Sequence, residues 1–186
     1  MANSERNVIV HGLSGKVGDL VIFSRRHGKT ILGKIPLRTG KVSADQKAAR
    51  EKFLKAVSYA KTSLRDPDIK ALYAQKAGGG VTPFNLAIGD FFTPPVIVDI
   101  ITAAYNGTAG SKIEVHATDD TKVTGVNVSI LAADGSVIEE GVAVEDAESG
   151  FWFYTTTVLN ASLSGSKITV AAKDLPGNST LAEKTI

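Results

Sequence analysis

The hydrophobic periodicity of the chain changes at Pro94-Pro95. Beyond these prolines apolar and polar residues alternate, as Val126, Val128 and Ile130 illustrate. A period of two places successive side chains on opposite faces of a strand, and turn signals, most of them with glycine, separate the alternating runs. The pattern predicts seven strands, over residues 96–104, 111–118, 124–132, 137–144, 151–158, 166–173 and 180–186.

Seven short strands in about 90 residues are typical of an immunoglobulin-like β-sandwich. Three stretches support this interpretation: IEVHATDD at 113–120, VNVSI at 126–130 and ITVAAKDLPGN at 168–178. With them, residues 94–186 resemble the bacterial immunoglobulin-like domains of surface and virion proteins. The resemblance implies a spacer, an adhesive module or a fibre subunit, and it implies no catalytic chemistry.

Residues 12–36 carry five glycines and six Lys, Arg or His residues around two short apolar runs. The link between the runs, from Arg25 to Gly28, has the composition of a turn. The stretch therefore predicts a β-hairpin with a basic tip. Because a lone hairpin is only marginally stable in water, we expect it to lie against another surface.

Residues 43–93 have helical periodicity. Ser43 and Gln46 form a predicted capping box, and Asp66 and Thr82 each precede a proline at a predicted helix start. The predicted fold class is thus α+β, with a hairpin arm at 1–42, helices at 43–93 and the sandwich at 94–186. The apolar stripe of the first helix is predicted at Ala49, Phe53, Ala56, Val57, Ala60 and Leu64.

The first 65 residues are similar to a group of uncharacterised proteins of Bacteroidota and phages. The similarity rests on GKVGDLVIFS at 15–24, on Gly28 and Pro36, and on the later run from Gln46 through Arg50 to Phe53. These proteins usually have a second proline before the helix, where this chain reads Gly-Lys-Val-Ser. The resemblance implies a structural role without known chemistry.

Charge is distributed unequally between the two halves of the chain. Residues 1–93 hold 16 Lys and Arg against 7 Asp and Glu, whereas residues 94–186 hold 5 against 12. Such asymmetry indicates an interaction surface. The basic half either meets a polyanion or meets the acidic half of a neighbouring copy; a third interpretation is two domains of unrelated origin.

The sequence contains no constellation of acid, base and nucleophile, so no enzyme activity and no cofactor are expected. Cysteine is absent, which excludes thiolate catalysis and disulfides. The glycines at 12, 15 and 18 match neither phosphate-binding pattern. Hard oxygen ligands for calcium are available at Asp119, Asp120 and Asp174. Ordinary turn residues are the preferred interpretation of these three.

Nucleic acid is not a favoured partner, although the basic half would contact phosphates, because few aromatic residues are interleaved for base stacking. No apolar run has the length of a membrane span. The N-terminus lacks the features of a signal peptide, so synthesis in the cytoplasm is expected, with an undefined export route. An extracellular or virion-associated location is predicted.

These observations favour a non-enzymatic structural subunit that self-assembles into an extracellular fibre or a virion or tail component. N-terminal strands and contacts between opposite charges would join the copies. The alternative is a monomeric surface module that binds a glycan or protein ligand through the sandwich and its aromatic run. The predicted interface residues are Val8, Ile9, Val10, Leu20, Val21, Ile22, Phe23, Arg25, Arg26, Lys29, Ile31, Glu139, Glu140, Glu145 and Glu148.

Overall fold

The computed structural model describes residues 2–3, 10, 12–35 and 42–186, which form a mixed α+β chain that is mostly β. The chain divides into two units, one up to Arg50 and one from Glu51 onward. The three-part division at 42 and 93 stays a prediction. Val8 and Ile9, which we expected in an interface strand, lie outside the described residues.

A four-stranded antiparallel sheet forms the first unit, in the order β1-β4-β3-β2. Its two central strands form the expected hairpin, in which Arg26 pairs with Lys29 across a two-residue turn. His27 and Gly28 both have positive φ angles, 49° and 79°, as a turn of type I′ requires. The strands are β1 (Ala2–Asn3), β2 (Gly15–Val17), β3 (Val21–Arg26) and β4 (Lys29–Lys34).

Three helices follow: α1 (Ala44–Ser63), α2 (Pro67–Lys76) and α3 (Pro83–Asp90). The predicted capping box is confirmed, because the Ser43 and Gln46 side chains each accept the other's backbone N–H at 3.2 Å. The Asp66 carboxylate caps α2 and the Thr82 hydroxyl caps α3, as expected. No helix in the described part of the chain is long and apolar enough to span a membrane.

Only part of the predicted stripe of α1 is buried. Ala56 and Ala60 are buried, but every residue from 44 to 55 is exposed, and Phe53 is 50% exposed. The apolar stripe packs against other helices near its C-terminal end, where Ala60 contacts Tyr73 and Ala87 in a small helical core. Periodicity predicted which side of the helix is apolar, but among the described residues only the C-terminal part of that side is buried.

Eight strands form two four-stranded antiparallel sheets, in the orders β5-β6-β10-β9 and β12-β11-β7-β8. Alternating residues from both sheets share one apolar core, among them Ile113, Val128 and Ile168, and we call this part the two-sheet body. Its strands are β5 (Val96–Ile101), β6 (Lys112–Thr118), β7 (Val123–Leu131), β8 (Val137–Val142), β9 (Val144–Glu145), β10 (Trp152–Thr155), β11 (Lys167–Asp174) and β12 (Ser179–Thr185).

The strand predicted over 137–144 is two strands that belong to different sheets. β8 pairs with β7, whereas β9 pairs with β10. Ala143 lies between them, is buried, and donates its N–H to the Val126 carbonyl at 2.8 Å. The chain crosses between the sheets at this small residue, which an alternating pattern alone does not reveal.

Candidate interaction site

The N-terminal sheet has an apolar face formed by Val17, Val21, Phe23 and Leu32. Strand register places them together, because Val17 pairs with Val21 and Phe23 pairs with Leu32. Val17 is exposed and the other three are half-buried. At the tip end of this face Thr30 is buried, and its hydroxyl accepts the Gly12 N–H at 3.2 Å. The face is therefore only partly covered.

No apolar core accompanies this sheet. Every buried apolar side chain in the described part of the chain lies at Ala56 or beyond. A four-stranded sheet normally needs a buried apolar face to be stable. Among its described residues, the first unit shows no such buried apolar face.

The opposite face of the sheet is basic. Lys16 pairs with Ile22, Arg26 pairs with Lys29, and these side chains share the face with Ile31. Arg25 lies on the apolar face beside the same tip, and Arg25 and Arg26 are both exposed. Most of the predicted N-terminal interface residues thus lie on one small sheet. Leu20 lies in the turn before β3 and is 78% exposed, whereas Val10 lies in a turn in which its carbonyl accepts the Leu13 N–H at 3.3 Å.

One lateral edge of the two-sheet body is apolar and acidic, and we call it the acidic edge: β8, β9 and the turn to Glu148. β8 and β9 are the outermost strands on this side, so each has a strand neighbour on one side only. Val142 and Val144 are 67% and 72% exposed, and they line an open cleft of about 490 Å³. Glu140, Glu145 and Glu148 are exposed here.

Asp146 adds a fixed negative charge to the acidic edge. Its carboxylate accepts both the N–H and the hydroxyl of Ser149, at 3.1 and 2.5 Å. These hydrogen bonds lower the pKa of Asp146 from the ordinary value, so the group stays ionised well below neutral pH. Val142, Val144 and Asp146 were not predicted from the sequence; the exposed valines follow from the break between β8 and β9.

Glu139 is predicted, with Glu140, to be an interface carboxylate. In the structure it is buried between the two sheets and does not lie on the acidic edge. Its side chain is 7% exposed, and it accepts hydrogen bonds from the Tyr154 hydroxyl at 2.8 Å and from the Thr157 N–H at 2.6 Å. The Thr157 hydroxyl and the Val158 N–H bind the same carboxylate. Neighbouring strand residues point in opposite directions, so Glu139 joins the two sheets while Glu140 faces outward.

The calcium candidates take part in turns. Asp119 accepts the N–H groups of Thr121 and Lys122, both at 2.9 Å. Asp174 is buried and accepts the N–H of Asn178 at 2.6 Å, whereas Asp120 is exposed. Across residues 2–3, 10, 12–35 and 42–186, no three His, Asp or Glu side chains are grouped as metal ligands.

An aromatic surface lies on the outer face of the sheet that contains β6 and β10. The His116 ring stacks on Phe151 with 3.6 Å between ring centres, and its Nε2 lies 2.6 Å from Glu114. Phe153 pairs with Glu114 on the same face. By contrast, Trp152 and Tyr154 face inward and are buried. The aromatic run is thus divided between the core and a half-buried surface.

Comparisons with known proteins identify no family. No family model and no curated protein sequence matches the chain. One solved structure with partial similarity is the crystal structure of CopC from Methylosinus trichosporium OB3b, with a TM-score of 0.36 and 16% identity. The match covers 48% of this chain and 87% of the CopC chain. A similarity at this level carries no argument about fold or function.

Proposed function

We propose that this chain is a non-enzymatic structural subunit that binds other copies of itself through its N-terminal sheet. The single observation that supports this most is a sheet with half-exposed apolar residues and, where its burial is described, no buried apolar side chain. Phe53 and Leu54 of α1 are also exposed, at 50% and 65%. Burial of such surface is the dominant favourable contribution to protein association.

The surface on the neighbouring copy is the acidic edge. Its outer strands have room for strand pairing, and its exposed valines match the apolar character of the sheet. Arg25 and Arg26 at the hairpin tip oppose the charges of Glu140 and Glu145. Exposed ion pairs contribute about 0–1 kcal/mol each, so apolar burial supplies affinity and charge supplies orientation.

A basic sheet that binds an acidic edge makes a head-to-tail contact. Such contacts close into a ring or continue as a filament, depending on the rotation between copies. In this proposal the two-sheet body is an immunoglobulin-like β-sandwich and the first unit is an arm. The resemblances to surface, virion and phage proteins agree with a fibre or a tail component outside the cytoplasm.

Changing Arg25 and Arg26 to Glu weakens self-association about tenfold at low salt, because two attractive rim contacts become repulsive. Changing Glu140 and Glu145 to Lys has the same effect, and the chain with all four changes recovers most of the affinity. Light scattering at increasing protein concentration measures the association.

A matched control is the change of Lys70 and Lys173 to Glu, two exposed lysines outside both surfaces. It alters net charge as much as the arginine changes do, and association is expected to change little. If this control weakened association as much as the arginine variant, the proposed contact of Arg25 and Arg26 with the acidic edge would be wrong. Failure of the four-fold variant to recover would contradict the pairing of these two surfaces.

The aromatic surface supports the second candidate function, a monomeric module that binds a glycan. Phe151, Phe153 and His116 present ring surface beside Glu114, and stacking with polar neighbours suits a sugar. Because Trp152 is buried, its fluorescence is a poor reporter of this surface. We expect saturable shifts of the His116 ring protons in NMR if a soluble oligosaccharide binds here, and their loss in Phe153→Ala. Unchanged shifts across an oligosaccharide panel would count against this candidate.

A further inference from the structure

One turn of the two-sheet body contains the only Asn-Gly pair of the sequence, Asn106-Gly107. The pair lies in the connection between β5 and β6, and Asn106 is exposed. Glycine is required at the second position, because Gly107 has a φ of 84° and a Cβ there would lie 2.8 Å from the Asn160 carbonyl oxygen. The fold therefore keeps this asparagine beside the residue that hinders reactions of its side chain least.

Three donor groups surround Oδ1 of Asn106. The Thr108 N–H lies 3.0 Å from this oxygen, the Thr108 hydroxyl 2.7 Å and the Ser111 hydroxyl 2.5 Å. A backbone N–H can only donate, so the side-chain atom that it meets is the amide oxygen and not the nitrogen. The Ser111 hydroxyl also lies 2.7 Å from the Thr108 carbonyl, and its single hydrogen serves one of the two acceptors at a time. Donors in this position stabilise the negative charge that a carbonyl oxygen gains when a nucleophile adds to its carbon.

The nucleophile in this turn is the peptide nitrogen of Gly107. Covalent geometry holds it four bonds from Cγ of Asn106, so its attack closes a five-membered ring. Such an intramolecular attack has a high effective concentration. Within the described part of the chain the Gly107 N–H donates to no acceptor, whereas the Gly107 carbonyl accepts the Asn160 N–H at 2.8 Å. No hydrogen bond therefore has to break before this nitrogen reacts.

We propose that Asn106 is a self-modification site, at which the folded chain converts its side-chain amide into a carboxylate. The Gly107 nitrogen loses its proton to water and bonds to Cγ, and the tetrahedral carbon then expels ammonia to leave a cyclic imide. Water adds to Cγ, the bond between Cγ and the Gly107 nitrogen breaks, and that nitrogen regains a proton. The net reaction is the hydrolysis of one amide, with water as the co-reactant and no oxidation or reduction.

A second turn of the two-sheet body already holds the product of this reaction. The Asp134 carboxylate accepts the N–H and the hydroxyl of Ser136 at 2.9 and 2.7 Å, across Gly135 with a φ of 86°. Asn106 makes the same two hydrogen bonds with Thr108. The hydrogen bonds from Ser136 lower the pKa of Asp134, so this arrangement favours the charged carboxylate. An aspartate at position 106 would therefore keep the turn and its hydrogen bonds.

Opening of the imide at its other carbonyl would give isoaspartate, which adds one carbon atom to the main chain. Gly107 is buried and has no space for an extra carbon beside the Asn160 carbonyl. A lengthened backbone would also displace the Gly107 carbonyl from the Asn160 N–H. We therefore expect aspartate to exceed isoaspartate in the folded chain, and this preference to be lost in the unfolded chain.

Peptide mapping of the intact chain after storage in mildly alkaline buffer tests the proposal. We expect conversion at Asn106, with aspartate as the main product, while Asn85, Asn127, Asn160 and Asn178 keep their amides. The same chain stored in urea provides the unfolded reference. If Asn106 kept its amide in the folded chain but lost it in urea, the turn would protect the residue and the proposal would be wrong. This comparison uses the unaltered protein and does not depend on whether any variant folds.

Two substitutions test the roles of the donors and of the product. Thr108→Val removes a hydroxyl donor at nearly constant size and should slow the conversion about tenfold. Ser136→Ala removes the equivalent hydroxyl from the Asp134 turn and should leave the rate at Asn106 unchanged. An equal or faster conversion in Thr108→Val would contradict promotion by these donors. Asn106→Asp should unfold at the same denaturant concentration as the parent or at a higher one near neutral pH, and a clearly lower midpoint would show that the turn does not hold the product.

Discussion

Replacing Glu139 by Ala is expected to lower the free energy of unfolding of the second unit by about 3–5 kcal/mol. The carboxylate accepts four hydrogen bonds, two of them from the backbone at Thr157 and Val158. Without it, the buried Tyr154 hydroxyl also loses its acceptor. Denaturant unfolding followed by Trp152 fluorescence measures the loss, since Trp152 lies in the same core.

The pH dependence of this effect has a defined sign. Burial raises the pKa of Glu139, but the Thr157 N–H, the Tyr154 hydroxyl and the further donors outweigh burial and hold the pKa below its ordinary value. The stabilisation is therefore present above the unfolded pKa and is lost as pH falls through the folded pKa. Glu139→Gln should lose less stability at low pH than at pH 7. An equal loss at both pH values would show that charge is not involved.

Glu140→Ala is the matched control for this prediction. Glu140 is the next residue along β8, is exposed, and is expected to change stability by no more than about 0.5 kcal/mol. A large loss in Glu140→Ala would mean that the inward and outward directions of these two side chains are wrong.

Removal of residues 1–41 is expected to abolish self-association while the second unit stays folded. The two apolar cores found among the described residues lie at Ala56 and beyond, and the capping box at Ser43 begins after the deletion. The lost contacts include four apolar side chains of the sheet, each contributing about 1.5–3 kcal/mol when buried. The dissociation constant should therefore rise by more than about a hundredfold. Sedimentation analysis measures the association, and circular dichroism checks the fold.

A full-length variant shows whether the truncation weakens association through the loss of apolar contacts or through the loss of basic residues. Phe23→Ser with Leu32→Ser keeps every basic residue and removes a directly paired part of the apolar face. It should associate nearly as weakly as the truncated chain. If the truncated chain assembled as the parent does, the N-terminal sheet would not be the binding element.

Local signals in the sequence predicted the local structure. The capping side chains of Ser43, Asp66 and Thr82 act within three residues, so their roles follow from spacing alone. The hairpin turn at His27 and Gly28 is equally local. The alternation of apolar and polar residues predicted the strands, except at Ala143, where the chain passes from one sheet to the other.

Non-local contacts account for what the sequence could not show. Glu139 and Glu140 look alike in sequence, and only the position of Tyr154 on another strand decides that Glu139 is buried. Residues that join distant segments require the tertiary structure.

Sedimentation velocity of the intact chain, over a range of concentrations at about 0.05 M and about 0.5 M salt, measures self-association without any variant. We expect species larger than the 19.5 kDa monomer that grow with concentration and shrink at high salt without disappearing, because apolar burial persists when charges are screened. A single 19.5 kDa species at every concentration and both salt levels would contradict self-association.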